Sequence, residues 1–119
     1  MRTSEHVQQW CDAYIEAWRS YDPDQIGALF SVDASYAYHP YDEPLHGRDA
    51  VVASWLDDRD EPGTWEARYS PLMLDGDRAI VTGETLYASG RRFSNLWVLE
   101  FDQDGACRNF VEWFMEQPR

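Results

Sequence analysis

The chain has 119 residues, which fits one domain over residues 1–119 able to bury about two-thirds of the surface that its unfolded form would expose. A hydrophobic content of 44% and an aromatic content of 15% point to a packed core and argue against disorder. With 22 acidic residues against 10 basic ones the formal charge is −12, which repels a phosphate backbone and an anionic bilayer surface alike, so neither nucleic acid nor membrane is expected as a partner.

Every basic residue is Arg and none is Lys, which excludes Schiff-base chemistry, a pyridoxal-phosphate lysine and a P-loop lysine. The start, Met1 to His6, lacks the apolar core of a signal peptide, and no stretch approaches the roughly 18 apolar residues of a membrane span. A cytoplasmic location is the expectation. Cys11 and Cys107 lie far apart in apolar patterns and read as reduced core thiols. No Gly-rich nucleotide loop, nucleophile elbow, zinc-protease helix or C-x-x-C pair occurs.

In chain order, Val7, Trp10, Cys11, Tyr14, Ile15 and Trp18 recur at the spacing of one helical face, with Ser4 as N-cap. Asp22-Pro23 opens a second helix carrying Ile26, Leu29 and Phe30 and ending near Val32, since Asp caps well and Pro suits a first turn. Ser35 to Tyr38 alternates as a short strand, and the Pro40 to Pro44 segment is a loop. After Gly47, the run Ala50 to Leu56 forms a third helix that closes in the acidic cluster Asp57 to Glu61. That cluster reads as a solvated surface.

The remainder reads as an antiparallel meander of four strands: Thr64 to Leu74, Arg78 to Tyr87, Arg92 to Phe101 and Ala106 to Glu116. The separators Asp75-Gly76-Asp77, Ser89-Gly90 and Gln103-Asp104-Gly105 are hairpin turns, because Gly and Asp tolerate positive φ. Two-residue turns at Asp75-Gly76 and Ser89-Gly90 and a three-residue turn at Gln103 to Gly105 set the register, hence the faces. One face then collects Trp65, Tyr69, Ile80, Thr82, Glu84, Leu86, Phe93, Asn95, Trp97, Leu99, Val111 and Trp113, and the helices are expected to cover it. The other collects Val81, Thr85, Tyr87, Leu96, Val98, Phe110, Glu112 and Phe114. Its apolar area is too large to leave in water, so a homodimer through this outer face is expected, with Glu100, Arg108 and Glu112 as charges at its rim.

In this register Glu84 lies opposite Asn95 among Thr82, Trp97 and Trp113, where desolvation would raise its pKa and suit it to proton transfer near neutral pH. A structural hydrogen bond to Asn95 is the alternative role. His39 follows directly on the Tyr36 to Tyr38 strand and is a second acid/base candidate. The segment His39 to His46 gathers two imidazoles and two carboxylates, yet its spacing matches no ligand motif, so no metal is expected.

The order of elements resembles the nuclear transport factor 2-like cone, and within it the SnoaL-like branch, across nearly the whole chain. The resemblance is carried by Tyr14 to Trp18, by Leu45 to Val51, by Asn95 to Phe101 and by Asp104 to Cys107. It implies an α+β fold of three N-terminal helices on a curved antiparallel sheet, with a pocket between them and often a dimer through the outer sheet face. Tyr14 and Trp18 would roof that pocket, as a Tyr on the first helix does in the steroid isomerases of this fold, or simply pack the core. Fold alone assigns no activity.

The reading is therefore a SnoaL-like protein whose pocket takes a small, largely apolar organic molecule. Tyr14, Trp18, Tyr38, Asn95, Trp97 and Trp113 would line it, and Glu84 or His39 would move a proton without any cofactor in an isomerase, cyclase or dehydratase type of reaction. The competing reading is a non-catalytic homodimeric module with a filled interior. An internal cavity of a few hundred Å³ separates the two.

Overall fold

A computed structural model describes residues 3–118. In chain order they form α1 (Ser4–Ser20), α2 (Pro23–Ala28), β1 (Phe30–Ala37), β2 (Leu45–His46), α3 (Arg48–Asp57), β3 (Trp65–Asp75), β4 (Arg78–Tyr87), β5 (Arg92–Phe101) and β6 (Cys107–Glu116). One six-stranded sheet runs in the order β2-β1-β6-β5-β4-β3. All neighbours are antiparallel except β1 and β6, which are parallel. Among the described residues no helix is long and apolar enough to cross a membrane.

Helix α1 starts one residue earlier than expected. The Thr3 hydroxyl, not Ser4, accepts the N–H of His6 at 3.1 Å and caps the helix. Val7, Trp10, Cys11, Tyr14 and Ala17 are buried on the face toward the sheet. Both cysteines are buried and free, and desolvation pushes each thiol up to about 12. Asp22 caps α2 as expected, accepting from Asp24 N at 2.8 Å, but α2 stops at Ala28 and does not reach Val32. From Phe30 the chain pairs with β6, and Cys107 N donates to the Leu29 carbonyl at 2.8 Å. That long-range pairing overrides the helical tendency of the segment.

The meander has the expected four strands, with four departures from the expected register. The β3–β4 turn is Gly76-Asp77 and not Asp75-Gly76, since Asp75 pairs with Arg78, a slip that leaves the faces unchanged. Leu72 bulges out of β3, since Pro71 pairs with Val81 while Met73 pairs with Ile80. The β4–β5 connection has three residues, Ala88-Ser89-Gly90, closed by Tyr87 N to Arg91 O at 2.9 Å, with Gly90 at φ 96°. Arg108 bulges out of β6, since Phe101 pairs with Cys107 but Glu100 with Asn109.

Each single-residue shift exchanges the faces of the strand beyond it. Trp65, Tyr69, Trp97 and Leu99 face the helices as expected, but Val81, Thr85, Tyr87, Phe110, Glu112 and Phe114 join them, not Glu84 and Trp113. Glu84 is exposed and pairs with Ser94 on the outer face, and Trp113 is 53% exposed there.

Gly83 pairs with Tyr69, and the Tyr69 ring folds over it toward the helices. A Cβ on Gly83 would collide with the Arg68 carbonyl oxygen and the Tyr69 ring. Gly83→Ala is therefore expected to cost about 3 kcal/mol in urea denaturation, as overpacking against backbone does. A loss below about 0.5 kcal/mol would show that the ring does not cover this position.

Candidate functional site

Between α1, α3 and the inner face of the sheet lies a pocket of ≈ 540 Å³. That volume falls in the range of small-molecule sites, and the space opens to solvent above a packed aromatic floor. Its walls are mostly aromatic: Tyr14 and Trp18 from α1, Tyr36 from β1, Trp55 from α3, Tyr69 and Tyr87 from β3 and β4, and Phe93 and Phe114 from β5 and β6.

Glu112 is the one carboxylate contributed by the sheet. The bulge at Arg108 turns it inward, beside its cross-strand partner Trp97. Trp97 is fully buried, and its indole N–H donates to Glu112 Oε2 at 3.0 Å. Asn95 Nδ2 donates to the same oxygen at 2.8 Å. No hydrogen bond from a described residue reaches Oε1.

The Asn95 amide is itself oriented. Its Oδ1 accepts the Thr85 hydroxyl at 3.0 Å, and Thr85 Oγ1 lies 2.6 Å from the Tyr69 hydroxyl. Because the single Thr85 proton goes to Asn95, Tyr69 must donate to Thr85. The result is a directed relay, Tyr69 to Thr85 to Asn95 to Glu112, with every dipole pointing at the carboxylate.

Burial raises the Glu112 carboxyl above its ordinary value of 4.5, opposed by the hydrogen bonds from Trp97 and Asn95 and by the nearby His39. Desolvation wins, which moves this acid toward the range where it can exchange a proton near neutral pH. Burial also holds the Tyr14 and Tyr36 hydroxyls well above the usual phenol value, and the field of Glu112 adds to it; the interaction between the two hydroxyls raises Tyr14 further and partly offsets the rise at Tyr36. Both stay protonated and available as neutral donors.

Of the residues singled out from sequence, Tyr14, Trp18, Tyr38, His39 and Asn95 all line the pocket. Tyr38 shares a 2.8 Å hydrogen bond with Ser54 on α3, and His39 Nδ1 lies 2.7 Å from Asp42 Oδ2, its ring 5.0 Å from that of Phe114. Trp97 sits beneath the wall and holds Glu112 in place of lining the space. Glu84 and Trp113 are further corrections, because both strands that carry them present the opposite face there. The inward position beside an amide and an indole that was expected of Glu84 is held by Glu112, which the expected register put on the outer face.

The acidic segment is also repositioned. Asp57, Asp58 and Asp60 line the pocket mouth, and Asp60 is pinned there by Trp18 Nε1, which donates to its Oδ2 at 3.0 Å. Among the described residues no three His, Cys, Asp or Glu side chains are grouped so as to hold a metal ion.

A raised carboxyl pKa has a signed effect on stability. The stabilisation from the Glu112 proton is fully present below the unfolded value near 4.5 and is lost as pH rises through the folded value. Denaturant titrations of Glu112→Gln and the parent across pH should therefore diverge in the variant's favour above pH 4.5, then run level. Curves that stay parallel would mean that the carboxyl is not desolvated.

The model of the SnoaL-like domain matches residues 11–113. Among solved structures, an NTF-2 like protein of unknown function from Burkholderia xenovorans superposes with a TM-score of 0.75 at 21% identity, over 97% of this chain and 87% of that one. A proposed ketosteroid isomerase from Kribbella flavida does so with a TM-score of 0.73 at 20% identity, over 98% of this chain and 82% of that one. No match is found among the curated proteins. The structural likeness shows the cone fold, and with a family match that runs from within α1 to the outer half of β6 the chain belongs to the SnoaL-like family of that fold.

Proposed function

We propose that the pocket binds a small, largely apolar organic molecule and that Glu112 shuttles a proton on it without a cofactor. The observation that carries this reading is a desolvated carboxyl, held by two neutral donors, on the wall of an aromatic pocket with protonated tyrosine hydroxyls beside it. Isomerisation of an enolisable ketone fits these parts. Glu112 Oε1 takes a proton from the carbon next to the carbonyl, and the Tyr14–Tyr36 pair donates to the oxygen on which negative charge develops. The carboxylic acid then returns the same proton to another carbon of the conjugated system, and the net change is a moved double bond. The likeness to a proposed ketosteroid isomerase supports this class, and the pocket volume speaks against a filled interaction module.

A β,γ-unsaturated cyclic ketone tests the reading. The parent should convert it to the conjugated isomer, and Glu112→Gln should lose about 100-fold or more in rate. The variant should keep its fold and its binding of the ketone, seen as a ligand-dependent rise in melting temperature. Unchanged turnover in the variant would remove Glu112 from the chemistry.

We also propose a homodimer through the outer sheet face. The corrected register places Ile80, Leu96, Val98, Val111, Trp113 and Met115 there in adjoining cross-strand pairs, with Trp113 53% and Met115 75% exposed. Sedimentation should show the parent as a dimer at micromolar concentration and Trp113→Glu as a folded monomer. A monomeric parent would dispose of this interface.

A further inference from the structure

The pocket wall carries a charge pattern that a purely apolar occupant would not use. Four carboxylates line it, Asp57, Asp58, Asp60 and Glu112, with no Arg and a single imidazole, His39. Their fields reach inward: Glu112 and Asp58 both act on the Tyr38 hydroxyl, and Asp60 and Glu112 both act on that of Tyr87. Neither Asp57 nor Asp58 has an ion-pair partner among the described residues.

The nearby arginines have partners of their own, and of the two Arg91 also acts on the Tyr87 hydroxyl, against the carboxylates. Arg59 lies over the Tyr21 ring, 5.5 Å from its centroid, and donates to the Leu56 carbonyl at 3.2 Å. Arg91 holds Glu116 in a bidentate pair at 2.9 and 2.8 Å. The acidic segment is docked in place, since Trp18 holds the Asp60 carboxylate and Asp60 N donates to the Tyr21 hydroxyl at 2.8 Å. Glu112, which already accepts two hydrogen bonds at Oε2, presents Oε1 to the same space without a hydrogen bond from a described residue.

Carboxylates above aromatic faces attract a positive charge twice, through their own field and through the ring quadrupoles. A metal ion does not suit this wall, because hard cations need several oxygens at about 2.0–2.6 Å and no three acidic groups are grouped that way among the described residues. An organic cation, whose charge is spread over N-methyl or N–H groups and is felt by rings at about 6 Å, does suit it.

We propose that the occupant is an amphipathic organic cation, a protonated or quaternary amine on an apolar body, with its ammonium at the mouth between Asp57, Asp58 and Asp60 and the rings of Tyr38 and Tyr87. This specifies the ligand class of the small-molecule pocket proposed above and rests on that reading.

Three isosteric probes separate the two: benzyltrimethylammonium, neutral neopentylbenzene and anionic α,α-dimethylhydrocinnamate, each titrated against the full chain by tryptophan fluorescence. At low salt the cation should bind at least about tenfold tighter than the neutral isostere, and the anion weakest. That advantage should shrink as salt is raised, and at least about threefold in the Asp57→Asn/Asp58→Asn double variant, while binding of neopentylbenzene stays constant. Circular dichroism checks the fold of the double variant, and the salt series on the parent gives an answer that needs no variant. Equal or tighter binding of the neutral probe would overturn the cation assignment and leave the pocket reading intact. An advantage that persists in the double variant and at high salt would overturn it too, by placing the cation elsewhere. Binding of none of the three would overturn both.

Discussion

A carboxyl group set into an aromatic wall needs donors that bring no counter-charge, and Glu112 has two. A Lys or Arg partner would lock it as a carboxylate, whereas the Trp97 indole and the Asn95 amide stabilise the anion while leaving protonation within reach. Those donors are fixed in turn. Trp97 is immobilised by full burial, and Asn95 can present its N–H to Glu112 only while Thr85 occupies its carbonyl and Tyr69 occupies Thr85. Tyr69 keeps its inward position because Gly83 leaves room for its ring. A strand glycine without a side chain to pack thus ends by orienting a carboxylate three hydrogen bonds away.

Which residues share that wall is decided by three local interruptions of pairing, and these differ in how well the sequence announces them. Pro71 inside a strand marks an edge or a bulge, because it has no N–H for the ladder. The bulge follows at Leu72. Gly90 admits both a two-residue and a three-residue hairpin, and the choice between them exchanges the faces of β4 relative to β5. Arg108 carries no such mark. On β6 the alternation cannot arbitrate, because Phe110 and Phe114 on one side and Val111, Trp113 and Met115 on the other are equally apolar. By contrast α1 and β5 read correctly from periodicity, since one side of each is clearly the more apolar, and α3 reads from its helix-forming run between Gly47 and the acidic cluster. Fold and pocket were therefore legible, together with the lining residues on α1, β5 and the β1 extension, while the identity of the carboxylate was not.

The helices have a different failure with the same cause. Phe30 to Val32 continues the apolar spacing of α2, and only the pairing of Phe30 with Cys107, far along the chain, withdraws it into the sheet. The acidic run after α3 was read as solvated because charge runs usually are. Its docking depends on two single contacts from the end of α1, Trp18 to Asp60 and Tyr21 to the Asp60 backbone. Neither contact leaves a local pattern, since each joins residues roughly forty positions apart.

The two ends of the pocket are connected by electrostatics as well as by space. With a neutral occupant, desolvation raises the Glu112 carboxyl, and its ionised fraction acts as the base. A cationic occupant reverses that balance, because a positive charge in a low-dielectric pocket favours the carboxylate, the form a general base requires. Ligand binding and arming of the base would then be one event. In that arrangement the protonated tyrosines keep their role, since burial raises both hydroxyls well above the usual phenol value.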